Sequence, residues 1–305
     1  MDRGVFLDPN IGRTPDVGHF RGRPGFERFA AAYLDGMGLL PSPDEVASAH
    51  TSFGRVRAYR WGTRGGTPLV LLAGRQASTP LWRSNIQTLV GDRDVWSLDS
   101  IGEPGASTQT APIRDNDDAV RWIDEALAAL DLEHVHLLGV SVGGWLVGQC
   151  VMRRPERVAS AVLLDPANTF APLTAKMIAV SMGSVIPGLP DSLRHRLLAM
   201  TAGGATVSDA VPEGRLIASG MRDFRQSMPQ PARPSVAELR AITTPVLAII
   251  AGESIVHDPQ RAARTAREVP GAEVEVWAGA SHAINGERPE EIAERVDRFI
   301  ADLNP

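Results

Sequence analysis

Cysteine is almost absent from this chain, because Cys150 is the single one among 305 residues. A framework of internal disulfides is therefore excluded, and we expect Cys150, which stands in an apolar stretch, to be a small buried side chain. Long apolar runs are also missing, since none reaches the ~20 residues that span a bilayer. The first residues lack the apolar stretch of a signal peptide. We therefore expect a cytoplasmic protein without a membrane-spanning segment.

A strong excess of one charge is missing as well. The chain has 31 basic and 36 acidic residues, which give a formal net charge of -5. This balance gives no reason to expect nucleic acid or an acidic membrane surface as a partner. With 43% hydrophobic and 22% charged residues, the composition is that of an ordinary globular protein. A chain of this length can form one large α/β domain with an inserted subdomain.

Short apolar segments alternate with amphipathic ones over most of the chain. The segment 68–73 is apolar, which is typical of a strand buried on both faces of a sheet. The segment 117–130 repeats its apolar residues at helical spacing. Further strands are expected at 94–99, 135–140, 158–164, 244–250 and 274–277. The alternation of strands and helices predicts an α/β fold with a doubly wound, mostly parallel sheet, preceded by two antiparallel strands at 47–53 and 55–61.

Residues 167–238 interrupt this alternation. The stretch contains several prolines and methionines and helical segments such as 191–200, and it is too long for an ordinary connection. We interpret it as a helical cap inserted over the site. The resulting division has an N-terminal arm and helix at 1–46, a core at 47–166 and 239–305, and the cap at 167–238.

The stretch Gly139-Val140-Ser141-Val142-Gly143 lies between an apolar strand and an apolar helix. It has the Gly-x-Ser-x-Gly pattern of a nucleophile elbow, in which a sharp turn projects a serine from the end of a strand. The two glycines relieve crowding at a turn with unusual backbone angles. Amides that open the following helix can stabilise a developing oxyanion. The same pattern also occurs in ordinary turns, but its context here favours Ser141 as a nucleophile.

A histidine that could activate this serine follows the last predicted strand. His282 stands in the loop Gly279-Ala280-Ser281-His282, near the end of the chain and before the terminal helix. Its alternative role is that of a loop histidine with structural hydrogen bonds. Its place after a late core strand favours a general base, which takes the proton of Ser141 and returns it to the leaving group.

The acid that would orient His282 has several candidates. Asp165 directly follows the strand 158–164, so its carboxylate should emerge at the same sheet edge as Ser141. Asp258 and Glu253 stand in the loop after the strand 244–250. Asp165 and Asp258 each precede a proline, where an aspartate is also common as a turn or helix-cap residue. Glu253 would lose more rotamer freedom when fixed.

Several motifs resemble those of the α/β-hydrolases, and within that family those of the bacterial carboxylesterase-like branch. They include 51–54, 71–74, 82–86, 99–107, the elbow, 164–170 and 279–282. The resemblance implies the α/β-hydrolase fold and a serine esterase mechanism through an acyl-enzyme. It also implies the absence of a metal and of an organic cofactor, and an oxyanion hole formed by the amides of Arg75 and Val142.

The chain departs from that family at two places. Ala73-Gly74 replaces the usual His-Gly and is followed by Arg75-Gln76, so a guanidinium beside the oxyanion hole would favour a substrate with a carboxylate. In addition, Ser254 falls where the family usually carries its acid, and a serine cannot supply the charge. Asp165 therefore becomes the first choice, Asp258 and then Glu253 the alternatives, and a dyad without an acid remains open.

These observations predict a serine hydrolase that cleaves a carboxylic ester, a lactone or a thioester of a small, largely apolar molecule. Two alternatives remain. One is a biosynthetic tailoring enzyme that performs cyclisation or acyl transfer, suggested by Ala73–Gln76. The other is a ligand-binding protein that has lost the chemistry, suggested by Ser254. The sequence does not define the oligomeric state.

Overall fold

The computed structural model of the protein describes residues 5–12, 16–184, 186, 189–201 and 212–303. The strands of this described part are β1 (His19–Phe20), β2 (Glu45–Thr51), β3 (Gly54–Trp61), β4 (Leu69–Leu72), β5 (Val95–Leu98), β6 (Thr108–Gln109), β7 (Val135–Val140), β8 (Val158–Leu164), β9 (Phe224–Arg225), β10 (Val246–Ala251) and β11 (Glu273–Trp277). Its helices are α1 (Arg23–Met37), α2 (Ile86–Val90), α3 (Asn116–Ala129), α4 (Val142–Arg153), α5 (Ala175–Ser184), α6 (Asp191–Thr201), α7 (Pro212–Asp223), α8 (Val236–Arg240), α9 (Pro259–Ala266), α10 (Ile284–Glu287) and α11 (Pro289–Leu303).

The central sheet has the strand order β11-β10-β8-β7-β4-β5-β3-β2, and β6 pairs with β3. The neighbouring strands in the part β11-β10-β8-β7-β4-β5 of this order are all parallel. Strand β3 pairs antiparallel with both β5 and β2. Strands β4, β7 and β10 are buried along their whole length, which explains their continuous apolar sequences. The prediction of a doubly wound, mostly parallel sheet is confirmed.

Two apolar cores cover the two faces of this sheet. One core joins the strands to α3 and α4 and contains Trp122 and Trp145. The other joins them to α1 and α11 and contains Tyr33 and Phe299. Helices on both faces hold the sheet rigid, so the loops at the carboxyl ends of its parallel strands have fixed positions.

The N-terminal arm is tied to the segment between β8 and β10. Strand β1 pairs antiparallel with β9, with His19 opposite Arg225 and Phe20 opposite Phe224. Helix α1 packs against α7, where a Cβ added at Gly25 would lie 2.9 Å from Cβ of Asp223. The sequence predicts an irregular arm over 1–22, and β1 is a difference from that prediction. A strand of two residues has no periodicity that could reveal it.

The predicted cap range contains α5, α6, α7 and β9, and most of α8. Residues 185, 187–188 and 202–211 of that range lie outside the described residues. Two methionines of that range, Met182 and Met200, are 68% and 37% exposed. These two side chains therefore face solvent.

Two smaller features of the core complete its description. The predicted helix over 81–89 is divided into a single turn at Thr79–Trp82 and the short α2. Cys150 is buried on α4, and burial raises the pKa of its thiol to about 12. Among the described helices, none has the length and apolarity needed to cross a membrane.

Candidate active site

Ser141 stands at the junction of β7 and α4 with φ of 57° and ψ of -117°. This conformation is costly for a residue with a Cβ, and its neighbours hold it in place. The Ser141 amide donates to the Leu164 carbonyl at 3.0 Å, and the Ser141 carbonyl accepts from the amides of Trp145 and Ala167, both at 3.0 Å. Because two of these partners belong to the end of β8 or follow it, the neighbouring strand fixes the turn.

The glycines on either side of Ser141 are required by close backbone contacts. A Cβ at Gly139 would lie 2.3 Å from the Gly143 carbonyl oxygen, and a Cβ at Gly143 would lie 2.0 Å from the Leu72 carbonyl oxygen. Neither contact can be relieved by moving a flexible side chain. The elbow therefore packs directly against the end of β4.

His282 reaches Ser141 from the loop between β11 and α10. Its Nε2 lies 2.9 Å from Oγ of Ser141, which is within hydrogen-bond distance. The loop is secured by Glu287, whose carboxylate accepts from the Ser281 amide at 2.8 Å and from the Ser281 hydroxyl. The side chain of His282 is 12% exposed, so the imidazole is shielded without being closed off.

Asp165 is the carboxylate that contacts the other nitrogen of His282. Its Oδ2 lies 2.6 Å from Nδ1 of His282. Asp165 directly follows β8, is fully buried and has φ of 41°. Its amide donates to the Ile249 carbonyl at 2.8 Å, and its Oδ1 accepts from the Ala251 amide at 3.0 Å. The adjacent strand β10 thus holds both its backbone and its carboxylate.

Two further side chains face the Asp165 carboxylate. The Ser254 hydroxyl donates to Oδ2 at 2.6 Å, and Nε2 of His257 lies 3.0 Å from Oδ1. The contact of His257 with the carboxylate is short, but it lacks the geometry of a well-formed hydrogen bond. Burial raises the pKa of Asp165, but the contacts with His257 and His282 outweigh burial and place this pKa below its ordinary value. The carboxylate is therefore ionised at neutral pH.

The other two candidate acids lie elsewhere. Asp258 caps α9, where its side chain accepts from the Arg261 amide at 2.6 Å. Glu253 is exposed to solvent. The alternative acid Asp258 therefore performs the helix-capping role that the sequence offered as its ordinary explanation.

The segment Gly74–Gln76 lies beside the serine. A Cβ at Gly74 would be 3.2 Å from Cβ of Ser141. Among the described residues, the amides of Arg75 and Val142 donate no hydrogen bond to the protein. Gln76 has φ of 58°, and its amide donates to Oε2 of Glu103 at 2.9 Å. Glu103 is buried, which raises the pKa of its carboxyl, although Arg75 and the Gln76 amide act in the opposite direction.

The Arg75 side chain extends toward the segment after β9. Its Nη1 donates to Oε1 of Gln230 at 3.2 Å. Its Nε is buried, and among the described residues it has no hydrogen-bond partner. The guanidinium is therefore near the site, but neither Gln230 nor Glu103 satisfies all its donors.

Sequence reasoning missed two residues of this cluster. These are His257, which stands in the loop of the alternative acids, and Glu103, which is distant in sequence from Arg75. The chain order held a signal for His257, since its loop follows β10 and leads to the same sheet edge as Asp165. Among the described residues, no group of three or more histidine, cysteine or acidic side chains is arranged to hold a metal ion.

The sequence and fold match those of known hydrolases. The family described as alpha/beta hydrolase fold matches residues 67–199. Carboxylesterase YbfK of Bacillus subtilis (strain 168) is 28% identical over 285 residues, with 90% of this chain and 93% of that protein covered. An uncharacterised carboxylesterase of the same organism, nap, is 27% identical over 276 residues, with 90% and 92% covered.

A solved structure gives the same result at the level of the fold. The crystal structure of naproxen esterase (carboxylesterase NP) from Bacillus subtilis has a TM-score of 0.83 and 26% identity, and the match covers 91% of this chain and 99% of that one. The match thus extends over most of both chains. The chain therefore has the α/β-hydrolase fold, and it is similar to carboxylesterases of the bacterial branch of that family.

Proposed function

We propose that the protein hydrolyses carboxylic esters of small molecules through an acyl-enzyme on Ser141. The observation that carries this proposal is the continuous contact from Ser141 Oγ to His282 Nε2 at 2.9 Å and from His282 Nδ1 to Asp165 Oδ2 at 2.6 Å. The carboxylesterase names of the matched relatives support the same reaction class.

The reaction follows from the roles of these three side chains. His282 Nε2 takes the proton of the Ser141 hydroxyl while Oγ attacks the ester carbonyl carbon. The anionic Asp165 stabilises the imidazolium and fixes its tautomer. The amides of Arg75 and Val142 donate to the oxyanion, and His282 then protonates the leaving alcohol. Water, deprotonated by the same imidazole, releases the acid and restores Ser141.

The substrate proposed here is a largely apolar ester, with a lactone or a thioester as chemical variants. A carboxylate on the substrate would be favoured by the positive charge of Arg75, whose buried Nε has no partner among the described residues. The test compares a p-nitrophenyl butyrate with its hemisuccinate analogue. The variant Arg75→Gln should lower kcat/KM for the hemisuccinate more than for the butyrate, and an unchanged ratio would contradict the carboxylate preference.

The proposal also includes the division of the chain into a core, a cap and an N-terminal arm. The stretch 167–238 forms a cap on the core at 47–166 and 239–305, and the arm at 1–46 supports it through the contacts of α1 with α7 and of β1 with β9. A cytoplasmic location rests on the sequence alone.

The function is tested with a short p-nitrophenyl ester and a fluorophosphonate probe, with Ser141→Ala as the control. Turnover together with labelling, both lost in the control, is the expected result. Labelling without turnover of simple esters would favour the acyl-transfer or cyclisation alternative. Folded wild-type protein that neither labels nor turns over would support the ligand-binding alternative and overturn the proposal.

A further inference from the structure

The carboxylate of Asp165 is contacted on both oxygens by side chains from opposite directions. Oδ2 faces His282 and Ser254, each at 2.6 Å. Oδ1 accepts from the Ala251 amide at 3.0 Å and faces Nε2 of His257 at the same distance. His257 thus completes the side of the carboxylate that is turned away from the nucleophile.

The loop that carries His257 is held at several points. The Val256 amide donates to the Ser254 hydroxyl at 3.2 Å, and the Val256 carbonyl accepts from the Thr174 amide at 2.9 Å. On the other side, Asp258 caps α9. Because both neighbours of His257 are fixed, the backbone that carries the ring has a defined position beside Asp165.

Simple packing does not explain a histidine at this place. The side chain of His257 is 0% exposed, and among the described residues neither ring nitrogen has a well-formed hydrogen bond. A buried polar atom without a partner lowers stability, so an apolar side chain of similar volume would fill this space at lower cost. What the imidazole provides, and an apolar group does not, is a polar ring nitrogen 3.0 Å from Oδ1 of the Asp165 carboxylate.

We propose that His257 is a positioning residue that sets the rotation of the Asp165 carboxylate through its Oδ1, so that Oδ2 faces Nδ1 of His282. This inference rests on the proposed function, in which Asp165 orients the general base. His257 does not touch the substrate. Its removal leaves Oδ1 with the Ala251 amide alone, and the carboxylate then presents a less well aligned acceptor to His282.

The test compares His257→Met with His257→Gln. Methionine fills a similar volume without a donor, whereas the glutamine amide can place its nitrogen near the position of Nε2. We expect His257→Met to lower kcat by about 10–100-fold with KM nearly unchanged, and His257→Gln to restore most of that loss. Circular dichroism and thermal unfolding should show that both variants are folded. Equal kcat in the two variants would overturn the proposal, because the donor would then have no effect.

A double-mutant cycle with Asp165→Asn separates positioning from general damage. If His257 acts through Asp165, His257→Met should change kcat little in the Asp165→Asn background. Fully additive losses would mean that His257 acts independently of the carboxylate and would contradict the inference. Wild-type kcat in Asp165→Asn alone would instead remove Asp165 from the proposed mechanism, so the two failures are distinguishable.

Discussion

Ser254 stands at the position where the α/β-hydrolases that this sequence resembles usually carry their acid. In the structure its hydroxyl donates to Asp165 Oδ2 at 2.6 Å, so the two side chains share one region of space. A carboxylate supplied from the end of β8 and one supplied from the loop after β10 can therefore reach the same imidazole. In this chain the carboxylate that contacts Nδ1 of His282 follows β8.

The closeness of these two side chains predicts that the carboxylate that orients His282 can be supplied from position 254 instead of position 165. Asp165→Asn should lower kcat by about 10⁴-fold, because an amide favours the wrong imidazole tautomer. Adding Ser254→Asp should recover at least about tenfold of that loss, since the new carboxylate can accept from Nδ1. The measurement is the steady-state kcat on a p-nitrophenyl ester.

The control for this experiment is Asp258→Asn. Asparagine caps a helix about as well as aspartate, so this change should leave both kcat and stability nearly unaltered. A large loss of kcat in Asp258→Asn would indicate that the carboxylate after β10 has a catalytic part. Failure of Ser254→Asp to recover any activity in a folded double variant would contradict the equivalence of the two positions.

The ionised Asp165 also predicts how stability depends on pH. Its pKa lies below the unfolded value of about 3.9, because the contacts with His257 and His282 outweigh burial. The unfolded state therefore binds more protons in this range, and the contribution to stability is complete above about pH 5 and is lost as the pH falls.

Urea denaturation of the wild type and of Asp165→Asn between pH 3 and pH 7 measures this contribution. The difference in the free energy of unfolding should be constant near neutrality and should become smaller below about pH 5. A difference that stays constant down to the lowest pH would contradict the lowered pKa.

At the scale of an element, α4 offers a matched pair of glycines. A Cβ at Gly143 would lie 2.0 Å from the Leu72 carbonyl oxygen, whereas a Cβ at Gly148 would lie 3.5 Å from Cδ2 of Leu163. Gly143→Ala should therefore disrupt the elbow and abolish labelling of Ser141. Gly148→Ala should stabilise the helix by up to about 1 kcal/mol, because alanine has the higher helix propensity.

Thermal unfolding and fluorophosphonate labelling of the two variants provide the check. Normal labelling of Gly143→Ala would show that the elbow can move away from β4. A marked loss of stability in Gly148→Ala would show that the space beside Leu163 is smaller than the structure indicates.

The elements of the core were predictable because each has a clear hydrophobic pattern. The buried strands β4, β7 and β10 have continuous apolar sequences, and α3 and α11 have apolar faces. The pairing of β1 with β9 was not predictable, because four residues far apart in sequence carry no pattern. Tertiary contact alone specifies it.

The site shows the same division between local pattern and distant contact. Ser141 and His282 were predicted because a motif and a chain order identify them. The sequence could place Asp165 before Asp258 in the order of candidate acids, but it could not decide between them. Both residues precede a proline and stand at or near the end of a strand. What distinguishes them is the backbone: Asp165 has φ of 41° and lies over β10, while Asp258 begins α9. The partner residue His257 depends on the side-by-side order of β8 and β10, which a linear sequence does not contain.

At the scale of the whole molecule, α1 and α7 are joined by an ion pair between the half-exposed Arg28 and the buried Asp223. Asp223, with 6% of its side chain exposed, accepts from Arg28 at 2.6 Å between its Oδ1 and Nη2. Asp223→Asn removes the charge at the centre of the contact between α1 and α7. We expect the free energy of unfolding to fall by about 1–3 kcal/mol, with faster hydrogen exchange in both helices.

A second ion pair between the same helices serves as the control. Asp35 on α1 contacts Arg215 on α7, but the side chains are 59% and 37% exposed. Asp35→Asn should change the free energy of unfolding by less than about 1 kcal/mol. If hydrogen exchange in Asp223→Asn increased in α1 but not in α7, the two helices would not open together as one unit.

The pairing of Phe20 with Phe224 also means that β1 is synthesised well before the strand with which it pairs. Ribosomes add about 5–20 residues per second, so the first strand leaves the exit tunnel roughly 10–40 s before its partner. During that interval the ring of Phe20, which contacts Phe26, Phe29 and Phe224 in the finished protein, lacks its contact with Phe224. Nascent chains of this protein should therefore present an early chaperone-binding segment that disappears only after Phe224 has been translated and has left the exit tunnel.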